Sequence, residues 1–204
     1  MTEELAFFGA FNPPTTAHLF LARFAMEEAG ARRVLFVPSR SAYIRYEQGK
    51  DFAYGDSERL AMLREAARER PWMEVSGWEL EQDRQPRTYE TLCHFRGEGR
   101  SPALLVGSDK LAEMETNWKN ADRIAREFGI VCLTRGSDDC ARMIRESAFL
   151  RELAPWIRVV ETPRDMRGVS STAVRRAVRK MEELERELAE MVPPEIAPLL
   201  RRMR

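Results

Sequence analysis

The chain has 204 residues, 44% of them apolar, with 33 basic and 33 acidic side chains. That composition fits one soluble globular domain over residues 1–204 and excludes a disordered or fibrous chain. A formal net charge of +0 argues against bulk nucleic-acid binding as the main task.

In chain order, short apolar runs alternate with longer amphipathic stretches. LAFF (5–8) reads as a buried strand ending at Gly9. A proline-rich turn then leads to a helix over about 16–29, stopped by Gly30. RVLFVP (33–38) is a second strand, and 39–54 reads as a long polar loop of functional type. A helix is expected from about Asp56 to Arg70, a third strand over 73–77, and a helix from 88. PALLVG (102–107) and GIVCLTR (129–135) are strands, 138–153 is a helix, and WIRVVET (156–162) is the last strand. A charged helix opens at SSTAVRRAV (170–178) and continues to about 190. This alternation predicts an α/β protein, a Rossmann-like doubly wound parallel sheet with helices on both faces and C-terminal helices. In such a sheet, ligands sit beyond the carboxyl ends of the strands, where the strand order reverses.

Three cysteines, Cys93, Cys132 and Cys140, form no CxxC pair and read as thiols of a reducing compartment. His18 and His94 are the only histidines, so a three-His metal site is excluded and no protein metal site is expected. No apolar run approaches ~18 residues, so no membrane span is expected. The acidic start MTEELAFFGAF argues against a signal peptide. The expectation is a cytoplasmic chain; the sequence leaves a homo-oligomer open.

GAFNPPTTAH (9–18) joins a strand end to a helix start, with His18 in the first helical turn. Free N–H groups and the helix dipole there favour an anion such as phosphate, and Gly9 lets it approach the backbone. Read alone, the segment is equally an ordinary turn with a threonine cap and a solvent-facing histidine. GVSSTAVR (168–175) sets Ser170, Ser171 and Thr172 at a helix start with Arg175 one turn on. They form either an N-cap or a grip on phosphates. In the middle of the chain, Asp109 reads as a helix cap or a ribose contact. Trp118 reads as a packing residue or a stacking surface for a flat ring.

GAFNPPTTAH resembles the signature G-x-F-(D/N)-P-x-(H/T)-x-x-H of the nucleotidyltransferase superfamily of class I aminoacyl-tRNA synthetase type, and GVSSTAVR resembles its I-S-S-T-x-(I/V)-R motif. At Thr15 the chain is similar to the nicotinamide mononucleotide adenylyltransferases of animals, most bacterial members having histidine there. Over most of its length it resembles the bacterial nicotinate-nucleotide adenylyltransferases: MEVSGWELEQDRQPRTYETL (73–92), VGSDKLAEMETNWKNADRI (106–124), IVCLTRG (130–136) and VPPEIAPLLRR near the end all match in order.

The resemblance implies transfer of AMP from ATP to nicotinate mononucleotide, with Mg²⁺ carried by ATP. His18, Thr15 and Arg175 would be catalytic. Gly9, Ala10, Phe11, Gly107, Asp109, Ser170, Ser171 and Thr172 would bind ATP. Arg45, Thr88, Tyr89, Trp118 and Arg135 would bind the mononucleotide, Trp118 by stacking on its ring. The family's P-x-H-K element is missing from VPSRSAYIRYEQGK, where Arg45 would stand in, with Arg40 and Lys50 as further cations. Glu90 stands where the family has Asp. Nicotinamide mononucleotide or another phosphate acceptor is the alternative substrate, and a nucleotide-binding module without activity is the alternative class.

Overall fold

The computed structural model describes residues 3–47, 49, 54–134, 138–162 and 171–191, with side chains in the last helix described through residue 181. Six strands form one parallel sheet: β1 (Glu4–Gly9), β2 (Arg33–Pro38), β3 (Met73–Val75), β4 (Ala103–Gly107), β5 (Ile130–Leu133) and β6 (Ile157–Val160). Their order is β3-β2-β1-β4-β5-β6. The chain steps outward from β1 in one direction and from β4 in the other, so the order reverses between them. The helices are α1 (Thr16–Ala29), α2 (Ser41–Tyr46), α3 (Asp56–Ala67), α4 (Thr88–Gly97), α5 (Ser108–Asn117), α6 (Ala121–Phe128), α7 (Cys140–Glu146), α8 (Ala148–Leu153) and α9 (Ser171–Met191).

Alternate strand residues face opposite layers, and the core divides accordingly. Leu5, Val34, Phe36, Leu105 and Val131 pack against Ala22, Ala25, Met26 and Ala29 of α1 and Leu63 of α3. Their neighbours Ala6, Leu104, Val106, Ile130 and Cys132 pack against Leu92 of α4, Leu111 and Met114 of α5, and Ile124 and Phe128 of α6. Strands buried on both faces explain why the sequence shows continuous apolar runs rather than alternation.

Helix boundaries follow local chemistry. Gly30, at φ 69°, closes α1 in the left-handed conformation that a side chain disfavours. Glu58 accepts the Gly55 N–H at 2.7 Å at the start of α3, which ends at Ala67, short of Arg70. Two expectations are corrected. The stretch 39–54 is not all loop: α2 lies within it, anchored by buried Ile44. The expected helix 138–153 is two helices, because the Ser147 hydroxyl accepts the Leu150 N–H at 3.1 Å and caps α8.

At the amino ends of the strands, Arg100 pairs with Glu4 and with Glu74, and Arg33 holds Glu74 at 2.7 Å. Two more charges are buried beneath the loops at the opposite end. The Arg59 side chain is 0% exposed; it donates to the carbonyls of Ala10 at 2.6 Å and Ser39 at 2.7 Å and pairs with Asp56 at 2.5 Å. It thereby ties the exits of β1 and β2 to α3. Burial works against the Asp56 charge, but hydrogen bonds from Ser41 and Arg59 outweigh it and hold the carboxyl below its ordinary range. Glu79, in the 3₁₀ turn Trp78–Glu81 after β3, is 1% exposed. Burial pushes its carboxyl up to about 7, against hydrogen bonds from Thr91 and Gln85 that pull it down.

Arg59→Ala leaves Asp56 without its cation and two carbonyls without a donor, and is expected to cost about 3–5 kcal/mol, read as a lower urea midpoint. Glu79 binds its proton more tightly in the folded state than in the unfolded state. Its contribution therefore favours folding below its unfolded value of 4.5 and is lost as pH rises through about 7. Between pH 5 and pH 8 this removes about 2–3 kcal/mol. Urea titrations across that window should show the loss, and Glu79→Gln should flatten it.

Candidate active site

The strand reversal leaves a cleft of about 790 Å³ at the carboxyl ends of β1 and β4. Gly9 and Gly107, the last residues of these strands, line it from below. A Cβ at Gly9 would lie 3.1 Å from Cζ of Phe11, so any larger residue there has to displace that ring by a few tenths of an ångström. Phe11 turns the chain at φ 43° and is buried edge-on against Phe7 and His18, with ring centres 5.4 and 5.3 Å away.

The start of α1 is a reciprocal cap. The Thr15 hydroxyl accepts the His18 N–H at 3.3 Å, and His18 Nδ1 accepts the Thr15 N–H at 3.0 Å. The same hydroxyl lies 2.9 Å from Nδ1. Because Nδ1 is the acceptor, this bonding assigns the ring proton to Nε2. His18 lines the cleft, whereas Thr15 is buried beneath it and is not among the lining residues. Thr15 therefore meets the cleft through the imidazole it orients.

The two sequence motifs meet here. Ser171 donates its hydroxyl to the Pro13 carbonyl at 2.8 Å, and Arg175 donates to the Asn12 carbonyl at 2.6 Å and to Thr172 at 3.3 Å. The first turns of α9 are thus fastened to the turn that precedes α1. Ser171, Thr172 and Arg175 line the same cleft as Gly9, Ala10, Phe11 and His18.

Gly107, Asp109, Thr88 and Trp118 complete the lining among the expected residues. Asp109 lies in the first turn of α5, whose N-cap is Gly107. Trp118 ends α5 in an extended conformation, half-buried against the core with its ring on the cleft. Both structural and ligand-facing roles are therefore open to it.

One expected residue, Arg45, lies elsewhere, and Tyr89 reaches the cleft side only through its backbone beside Thr88. The Tyr89 side chain is buried beside Phe128 and under the Arg123 guanidinium, and its hydroxyl donates to Glu127 at 3.0 Å. Thr88 and Tyr89 are consecutive on α4, so one faces the cleft and the other the core. Arg45 is exposed on α2 and is not a lining residue. Buried Ile44 fixes the rotation of that helix and puts Tyr43, Ile44 and Glu47 on the cleft instead. Arg135 and Ser170 lie outside the described residues, as does Lys50.

Sequence reasoning passed over several polar lining groups. Arg84 grips Glu90 through two contacts of 2.8 Å; this pairing, together with the Arg87 N–H, drops the Glu90 carboxyl to about 2. Lys110 pairs with Glu113 at 2.8 Å, and Arg87 and Lys119 add further cations. The neighbour of Asp109 in the first turn of a helix was the available signal for Lys110. Among the described residues, no group of three or more His, Cys, Asp or Glu side chains could hold a metal ion, and no helix is long and apolar enough to cross a membrane. The carboxylates Glu47, Asp109 and Glu113 lie on the cleft among the cations Arg84, Arg87, Lys110, Lys119 and Arg175.

Comparison with known proteins agrees with this architecture. The cytidylyltransferase-like family matches residues 6–177. A relative from Neisseria meningitidis serogroup A, described as "Probable nicotinate-nucleotide adenylyltransferase", is 33% identical over 177 residues, covering 84% of this chain and 86% of its own. One from Caldicellulosiruptor bescii with the same description is 24% identical over 196 residues, covering 96% and 94%. The nicotinic acid mononucleotide adenylyltransferase of Plasmodium falciparum, solved in complex with NaAD, shares the fold with a TM-score of 0.64 at 16% identity, over 86% of this chain and 83% of its own. With the strand order, the switch-point cleft and both motif segments accounted for, the chain belongs to the cytidylyltransferase-like family and, within it, to the nicotinate-nucleotide adenylyltransferases.

Proposed function

We propose that this chain transfers the adenylyl group of ATP to nicotinate mononucleotide, giving nicotinate adenine dinucleotide and pyrophosphate, in the cytoplasm and within one domain spanning residues 1–204. The observation that carries this reading is the convergence of His18 with Ser171, Thr172 and Arg175 on one cleft, through contacts between segments about 160 residues apart. The described relatives and the fold shared with a structure complexed with NaAD support the choice of substrates.

The acceptor phosphate is already an anion, so the reaction needs no protein nucleophile. One of its oxygens attacks the α-phosphorus of ATP, and the bond from that phosphorus to the bridging oxygen breaks, releasing pyrophosphate. The protein has to align two anions and stabilise growing charge. His18 donates from Nε2 to an α-phosphate oxygen, held in that tautomer by Thr15. The amides at the start of α1, together with Ser171, Thr172 and Arg175, receive the β- and γ-phosphates. Gly9, Ala10, Phe11, Gly107 and Asp109 surround the adenosine. Trp118 stacks on the pyridine ring, and the backbone at Thr88 and Tyr89 meets its carboxylate. Mg²⁺ brought in with ATP would supply charge neutralisation at the triphosphate.

A pyrophosphate-release assay with ATP and a panel of mononucleotides tests this. Turnover is expected with nicotinate mononucleotide; turnover with nicotinamide mononucleotide alone would change the acceptor, and ATP binding without pyrophosphate release would remove the activity. His18→Ala should lower kcat by about 10²–10³-fold with little change in the KM for ATP. A large KM rise at normal kcat would reassign His18 to binding.

A further inference from the structure

Glu79 is buried at the cleft wall, and the transfer chemistry does not use it. Its Oε1 accepts the Thr91 hydroxyl at 2.7 Å, and its Oε2 accepts the Gln85 amide at 2.5 Å. Gln85 in turn accepts the Arg40 N–H at 2.7 Å and donates its remaining amide hydrogen toward the Pro86 carbonyl at 3.3 Å. Every polar atom of that amide is thus occupied, and its orientation is fixed by its partners.

The geometry points to Glu79 as a positioning residue for the acceptor, fixing the separation of two cleft walls through Gln85. One wall is the start of α2, whose N-cap is Arg40 and whose Tyr43 and Ile44 line the cleft. The other is Pro86–Thr88 at the start of α4. Neither wall belongs to the α1 and α9 segments that face the triphosphate, so the bridge acts on one substrate only. In the ionised carboxylate both Glu79 oxygens act as acceptors; a neutral amide in their place offers one acceptor to two donors, and one link opens. This inference rests on the assignment of the Thr88 side of the cleft to the mononucleotide.

Steady-state kinetics of Glu79→Gln and Gln85→Leu at about pH 8.5, where the parent carboxyl is ionised, test it. The KM for nicotinate mononucleotide is expected to rise about tenfold in each, with the KM for ATP within about twofold of the parent. Equal rises in both KM values, or an unchanged acceptor KM in folded protein, would overturn it. Gln85→Leu decides the matter if Glu79→Gln does not fold. If the parent turns over no pyridine mononucleotide, the functional reading falls by itself. Hydrogen exchange of the ligand-free protein then tests the bridge: faster exchange in both 39–46 and 84–88 of Gln85→Leu supports it, and parent-like exchange in either segment overturns it.

Discussion

The reversal of strand order between β1 and β4 is the constraint on which the rest depends. Two adjacent parallel strands must send their chains away in opposite directions, and right-handed crossovers then put the following helices on opposite faces of the sheet. α1 packs on one layer and α5 on the other, so the strand ends between them open onto the cleft. The cleft is a by-product of connectivity. What distinguishes this chain is the set of groups its loops deliver to that gap.

Those loops are held by a few buried polar side chains. Arg59 collects the carbonyls that follow β1 and β2, Glu79 and Gln85 fasten the walls around α2 and α4, and Arg175 and Ser171 lock α9 to the turn before α1. Each contact satisfies backbone or carboxylate groups that would otherwise be costly to bury, and each fixes a segment that borders the ligand space. In a reaction that requires alignment of two anions rather than a covalent intermediate, such fixed placement is the protein's main contribution.

Much of this was legible in the sequence. Short apolar runs such as LAFF and RVLFVP, alternating with amphipathic stretches, predicted the parallel sheet, and the glycine and threonine positions of GAFNPPTTAH predicted the strand exit and helix cap. The failures have common physical causes. A six-residue helix such as α2 is too short for periodicity to register, and Ser147 divides a continuous helical pattern because a hydroxyl can cap as readily as it can sit in a helix. The side of a helix that a residue faces cannot be read from its place in a loop sequence, so Arg45, expected as the stand-in for the missing cations, proves to be exposed away from the cleft. Arg59 and Glu79 resemble surface charges in a chain rich in both types. Their burial depends on partners such as Ala10 and Thr91 that only the tertiary fold supplies.

The Glu4–Arg100–Glu74–Arg33 cluster sits at the floor of the sheet, a full strand length from the cleft. This ionic share of the cohesion therefore lies at the pole opposite the chemistry. Substitutions in that ionic floor can alter tolerance of heat or brine while leaving the opposite ceiling of this chain undisturbed.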